Sequence, residues 1–256
     1  MKRIIILLLS LSISVNVFSG CSVSSSNQET VVNEQMERTF SAKNNYVEKL
    51  SEKYASPQNP QGTVTDDVKT DFKKELGTAL PDDYYDYFNT FGDGSFSEYV
   101  RITNPFVSDE YFEESKENSD IYNDMKKMRK LYTAGDSVAS VDENGDIIIE
   151  KEYNDEFKRN VFIPDNKDIR SKIVRFGFGF PFDFYKNGNG LVYFGHTDDH
   201  NFFWNFYDDN YTIVMFGDSD DFYEYDMSFS EFLYYFLNGD LAEIYLEEPF
   251  VFIRND

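Results

Sequence analysis

The stretch Leu76–Pro105, LGTALPDDYYDYFNTFGDGSFSEYVRITNP, leaves little freedom in what this chain can fold into. Pro81 suits the first helical position, where its missing N–H has no intrahelical partner to lose and its fixed φ fits the helix. Asp82 and Asp83 stand in the first turn, where the helix dipole favours negative charge. Tyr84, Tyr87, Phe88 and Phe91 follow the i, i+3, i+4, i+7 spacing of one buried face. Gly92 is placed to end that helix in the left-handed conformation. From Glu98 to Thr103 the period changes to two. Val100 and Ile102 then share one face, and Tyr99, Arg101 and Thr103 the other. Asn104-Pro105 closes the strand. A helix and a strand so close together, each with one apolar face, require a mixed fold of helices and sheet.

The flanking sequence extends both patterns. A helix is expected within Met36–Ala55, where Phe40, Tyr46, Leu50 and Tyr54 are roughly periodic, and PQNPQG at 57–62 is a break. Thr65 can cap a helix through Leu76, with Val68, Phe72 and Leu76 at i, i+4, i+8 and Gly77 as its stop. Ser119 can cap another that carries Ile121, Met125, Met128 and Tyr132, its KKMRK run a solvated face. Val138–Val141 and Ile147–Glu150 flank DENGD, and Asn144-Gly145 is a tight hairpin signal. In IVRFGFGF, glycines at 177 and 179 indicate a bulge or close backbone approach. Leu191–Phe194, Asn201–Tyr207 and Tyr211–Phe216 read as a three-strand meander, turning at Asp208-Asp209-Asn210. Ser228–Leu237 is the final helix. Ser228 and Glu231 have the spacing of a capping box, Phe229, Phe232, Leu233 and Phe236 make a core face, and Gly239 follows.

These residues carry a resemblance. Leu76-Gly77, Leu80-Pro81-Asp82-Asp83-Tyr84, Phe88, Phe91-Gly92-Asp93-Gly94 and Ile102-Thr103-Asn104-Pro105 resemble the amino-terminal half of the SUKH superfamily, the Smi/Knr group. Pro181-Phe182, Gly190-Leu191, Gly195, Phe203-Trp204, Tyr223–Tyr225 and Ser228–Leu233 follow in the order of its second half. The family often has Trp where Tyr223 stands. The resemblance spans roughly 65–253, with 106–160 as an elaboration outside the pattern. It implies an α+β fold: two N-terminal helices, an antiparallel sheet of about five or six strands with one open face, and a C-terminal helix packed on the sheet. It also implies a non-enzymatic protein-binding module, an immunity protein that binds and neutralises a bacterial toxin domain.

The N-terminus reads as a processing signal. Lys2 and Arg3 precede an apolar run, Ile4–Val17, that is too short and interrupted for a comfortable membrane span. Phe18-Ser19-Gly20-Cys21 resembles a bacterial lipobox, with Phe18 where leucine is usual. Cys21 is the only cysteine, so it is the expected lipidation site and no intrachain disulfide supports the fold. The expected organisation is a lipoprotein signal peptide over 1–20, a polar tether with a candidate helix over 21–60, and the SUKH-like domain over 61–256. Lipid on Cys21 would hold the protein on the cell membrane, facing outside the cytoplasm.

Lys and Arg total 24 against 47 Asp and Glu, a net charge of −23. Removal of residues 1–20 takes away Lys2 and Arg3 and no acid, leaving −25. That charge excludes nucleic acid as an expected partner and disfavours charge-driven docking on anionic lipid. It suits a basic protein domain. His196 and His200 in GHTDDH offer metal-ligand types, but between two strands they read as a polar turn, and no metal or cofactor is expected. No GxSxG, P-loop, GxGxxG or HExxH is present. The many tyrosines, among them Tyr84, Tyr99, Tyr211 and Tyr234, fit a protein interface or a sugar groove as well as a core. The candidate partner contacts are Asp93, Tyr99, Asp218, Asp220 and Asp221, on a monomer. The reading of another class is an envelope lipoprotein that binds or regulates wall polysaccharide. Cys21→Ser is expected to release the protein into the soluble fraction, and fractionation of cells producing each form checks it.

Overall fold

The computed structural model describes residues 43–106, 123, 137–151, 163–177, 182–207, 210–217, 222–241 and 249–254. Three helices come first: α1 (Val47–Lys53), α2 (Asp66–Leu76) and α3 (Asp82–Thr90). The Thr65 side chain accepts from the Val68 N–H at the start of α2, and Gly77, with φ +84°, ends it. Of the three apolar residues of α2 only Phe72 is fully buried. Leu76 is half-buried and Val68 exposed, so the expected three-residue face is narrower than its spacing implied. Pro81 caps α3 from outside the helix and is not its first residue. Tyr84, Tyr87, Phe88 and Phe91 are all buried, and so is Tyr85. Gly92 has φ +73°, and a Cβ there would lie 2.6 Å from the Gln61 backbone, so the position needs glycine twice over.

The strands are β1 (Gly94–Phe96), β2 (Val100–Ile102), β3 (Ser137–Val141), β4 (Ile147–Lys151), β5 (Ile173–Gly177), β6 (Gly190–His196), β7 (His200–Tyr207), β8 (Asn210–Gly217), β9 (Phe222–Tyr225) and β10 (Phe252–Arg254). A short helix, α4 (Lys167–Arg170), precedes β5, and α5 (Phe229–Leu237) follows β9. All ten strands form one sheet in the order β10-β1-β2-β6-β7-β8-β9-β5-β3-β4, every pair antiparallel. The meander is β6-β7-β8, and the Asn144-Gly145 hairpin joins β3 to β4. Two expectations are corrected. The sheet has ten strands among the described residues, not five or six, and α1, expected only as a candidate helix of the tether, joins the two expected helices that precede the sheet. The extra strands β1, β9 and β10 hold three or four residues each, too few for a period of two to declare itself.

The core lies between α1, α3, α5 and one face of the sheet. Trp204 on β7 is fully buried at its centre. Its ring meets Tyr84 edge-on at 4.7 Å and Phe194 at 4.7 Å. Phe229, Phe232, Leu233 and Phe236 of α5 join the same cluster, as do Val47, Leu50 and Tyr54 of the stretch read as a tether. The opposite face is not open as expected: Leu191, Tyr193, Phe203, Val214 and Phe222 form a second cluster there with Phe176 and Phe182. The central strands are therefore buried on both faces, which is why their sequences are nearly continuous in apolar residues.

The amino terminus of α5 is where the helices meet. Ser228 accepts from the Glu231 N–H at 3.0 Å, one half of the expected capping box. The other half is replaced: the Glu231 carboxylate pairs with Lys172 at 2.6 Å. Asp83 of α3 accepts from both the N–H and the hydroxyl of Ser230, at 2.6 and 2.7 Å. Tyr46 donates its N–H to the Ser230 hydroxyl, and Lys43 donates to the Met227 carbonyl beside Asp226. Trp204→Ala is expected to cost about 3–5 kcal/mol through the lost packing and the cavity left behind. Denaturant unfolding followed by far-UV circular dichroism measures it, since the variant has no tryptophan to report.

Candidate functional site

Strand register brings several loops to one end of the sheet. Arg101 pairs with His196, His200 with Gly217, and Phe216 with Phe222. The β1–β2 turn at 97–99, the β6–β7 turn at 197–199, and the residues that flank 218–221 therefore share that end.

The β1–β2 turn is unusual. Ser97 and Glu98 have φ +53° and +59°, and Tyr99 donates its N–H to the Phe96 carbonyl at 3.0 Å. Two consecutive left-handed residues characterise the tight hairpin turn that normally takes Asn-Gly. Neither Ser nor Glu is at ease there, and each left-handed residue costs on the order of 1 kcal/mol. Backbone and side-chain bonds offset the cost. The Ser97 N–H donates to the Val251 carbonyl at 2.7 Å, its hydroxyl accepts from the Val251 N–H at 3.0 Å, and Arg101 Nε donates to the Glu98 carbonyl at 3.3 Å.

The turn holds Tyr99 half-buried at the rim. Its ring stacks on Phe250 at 6.3 Å, and its hydroxyl donates to Asp199 Oδ2 at 3.0 Å. Burial, and further the neighbouring Asp199, push the phenol above its ordinary value, so it stays a neutral donor. The β6–β7 turn is set by Thr197, whose hydroxyl accepts from the N–H groups of Asp199 and His200 at 3.1 and 2.9 Å. That leaves Asp198 and Asp199 exposed, at the same end of the sheet as the exposed Glu98. The histidines have separate partners: His196 Nδ1 meets the Tyr193 hydroxyl and His200 Nδ1 the Thr197 hydroxyl. Burial, then the Arg101 charge, lower the His196 pKa and favour its neutral ring. Among the described residues no three His, Cys, Asp or Glu side chains converge as metal ligands would.

Of the residues singled out in the sequence, Tyr99 stands in this rim. Asp93 lies at the other end of β1, where its N–H donates to the Gln61 carbonyl. Asp218, Asp220, Asp221, Cys21 and the KKMRK run lie outside the described residues. Among the tyrosines, Tyr84, Tyr85, Tyr87, Tyr225 and Tyr235 belong to the core, while Tyr99, Tyr207, Tyr211, Tyr223 and Tyr234 keep partial exposure. Sequence reasoning did not single out Glu98 or Phe250, and it met Asp199 only as a metal-ligand type beside the histidines of GHTDDH, not as the partner of Tyr99. A partner 100 residues away, as Asp199 is from Tyr99, leaves no local signal.

No family model, curated protein or solved structure matches this chain. The rim's own chemistry is a set of exposed carboxylates around a braced aromatic ring. It offers acceptors to cationic and N–H donor groups, and an apolar ring edge. Glu98→Gly is expected to raise stability by about 0.5–1 kcal/mol, relief of left-handed strain exceeding the added chain entropy of glycine. The shift in urea midpoint at unchanged slope checks it.

Proposed function

We propose that this chain is a non-enzymatic protein-binding module of the SUKH type, an immunity protein that neutralises a toxin domain. In this reading it is held on the outer side of the cell membrane by lipid on Cys21. The order of elements supports it: helices before an antiparallel sheet, then a helix laid on that sheet. The observation that carries it is the rim where the strained Ser97-Glu98 turn presents Tyr99 among Glu98, Asp198 and Asp199. Strain of this kind persists where the surrounding structure sustains it, and it clusters at sites of recognition.

The physics divides between rate and affinity. A mature chain at −25 steers a basic partner toward it, which raises the association rate. A braced aromatic at the centre of a contact chiefly lowers the dissociation rate. The test begins with capture of the partner from native membranes by the full chain. Association with that protein is expected to slow about tenfold or more as the Debye length falls from about 10 Å at 0.1 M salt to about 3 Å at 1 M, while dissociation changes less. Tyr99→Ala is expected to act in the opposite sense, mainly on dissociation. An association rate indifferent to salt removes charge from the mechanism. Binding to purified wall glycan and to no protein replaces the immunity reading with the polysaccharide one.

A further inference from the structure

Helix α1 separates its charges. Val47 and Leu50 are buried in the core. Lys49 and Lys53 lie over tyrosine rings, 3.6 Å from the Tyr46 centroid and 5.5 Å from that of Tyr54. Glu48 and Ser51 line instead the side that meets α3. Between the two helices opens a groove of ≈ 560 Å³, lined by Asn45, Glu48, Ser51, Asp86, Asn89 and Thr90 over the buried Val47.

The lining has a definite chemistry. Asn45 is fixed at both ends of its amide: its Oδ1 accepts from the Val47 N–H at 2.9 Å, and its Nδ2 donates to Asp86 Oδ2 at 2.8 Å. Asn89 Oδ1 accepts from the Val64 N–H at 2.7 Å, which turns its NH₂ away from that bond. Asp86 is thus oriented by a neutral donor, and its second oxygen remains for a ligand. Glu48 faces the same space from the other helix. Neither carboxylate pairs with a Lys or Arg among the described residues, although both belong to helices packed side by side. Among the described residues the lining holds no aromatic ring on which a sugar could stack, and only two carboxylates, too few for a hard divalent ion without other anionic ligands.

We propose that the α1–α3 groove receives a cationic side chain of a protein partner, a guanidinium above all, with Asp86 and Glu48 as its acceptors. A planar guanidinium carries N–H donors on several edges and is only weakly hydrated, so it can meet two carboxylates presented by two helices. An ammonium of lysine satisfies the charge without that geometry. The proposal rests on the protein-binding reading above and names a second point of contact for it, apart from the Tyr99 rim.

The test is a titration of the ¹⁵N-labelled full chain in detergent micelles with Gly-Arg-Arg-Gly amide, read at the side-chain amide resonances of Asn45 and Asn89. Both are expected to shift and saturate, more weakly with Gly-Lys-Lys-Gly amide. Glu48→Gln with Asp86→Asn is expected to weaken the arginine peptide at least tenfold. Glu143→Gln with Asp67→Asn removes the same two charges elsewhere, on the β3–β4 turn and α2, and is expected to leave it within about twofold. Arginine peptide that shifts neither Asn45 nor Asn89, or equal losses in the two double variants, overturns the groove assignment. The captured partner separates this result from the wider reading. If it binds the Glu48→Gln/Asp86→Asn chain as tightly as the unaltered one, the groove is wrong and the immunity reading stands. If the groove takes the peptide but membranes yield no protein partner, the immunity reading falls alone.

Discussion

The carboxylate of Asp83 joins the two ends of this fold. It belongs to the first turn of α3 and accepts two hydrogen bonds from Ser230, 147 residues later, at the amino terminus of α5. Helix amino termini carry unpaired N–H groups and a partial positive charge, and a buried one must be satisfied. Burial pushes the Asp83 carboxyl above its ordinary value, while the Ser230 donors work against that shift by favouring the charged form. Asp83 and Tyr84 are consecutive, as are Ser230 and Phe229. The cap therefore sets where the Tyr84 ring meets Phe229, at 4.9 Å, and Trp204, at 4.7 Å. One polar contact and the aromatic core it registers form a single unit.

The same junction secures the segment that leads toward Cys21. Lys43 is largely buried against the Tyr211 ring, and burial lowers its pKa to about 8 in spite of the nearby Asp226. The lysine, the Tyr46 N–H and the Ser228 hydroxyl, which reaches the Asn44 carbonyl, tie residues 43–46 to α5.

Central strands buried on both faces leave their ends, and the outer strands of the sheet, for recognition. The central strands expose little besides their turns, and there the chain places carboxylates, the braced Tyr99 and the left-handed Ser97-Glu98 pair. The groove between α1 and α3 is a second polar opening on an otherwise aromatic framework. Both surfaces are anionic, in keeping with the charge of the whole chain, so local recognition and long-range attraction favour the same kind of partner.

The sequence by itself determined the features that depend on near neighbours. The buried face of α3, the glycine stops at 77 and 92, the cap at Ser228, the hairpin at Asn144-Gly145 and the β6-β7-β8 meander all follow from spacing and from the conformational limits of single residues. Tyr99 reads in the sequence as a strand residue facing away from Val100 and Ile102, whereas it closes the β1–β2 turn and β2 begins only at Val100. Tertiary structure decided the rest. Asp82 and Asp83 read alike as first-turn acids, yet Asp82 is exposed and Asp83 caps a distant helix. Glu231 has the spacing to return to Ser228, but Lys172 takes its carboxylate. The strands β1, β9 and β10 are held by backbone pairing with partners in the sheet and by burial of Phe96, Phe222 and Tyr225 against distant residues, neither of which shows as a period in so short a segment. The partner of Tyr99 and the facing of Glu48 with Asp86 arise only when separate elements pack, because a hydrogen bond or a groove between distant residues leaves no periodic trace in either of them.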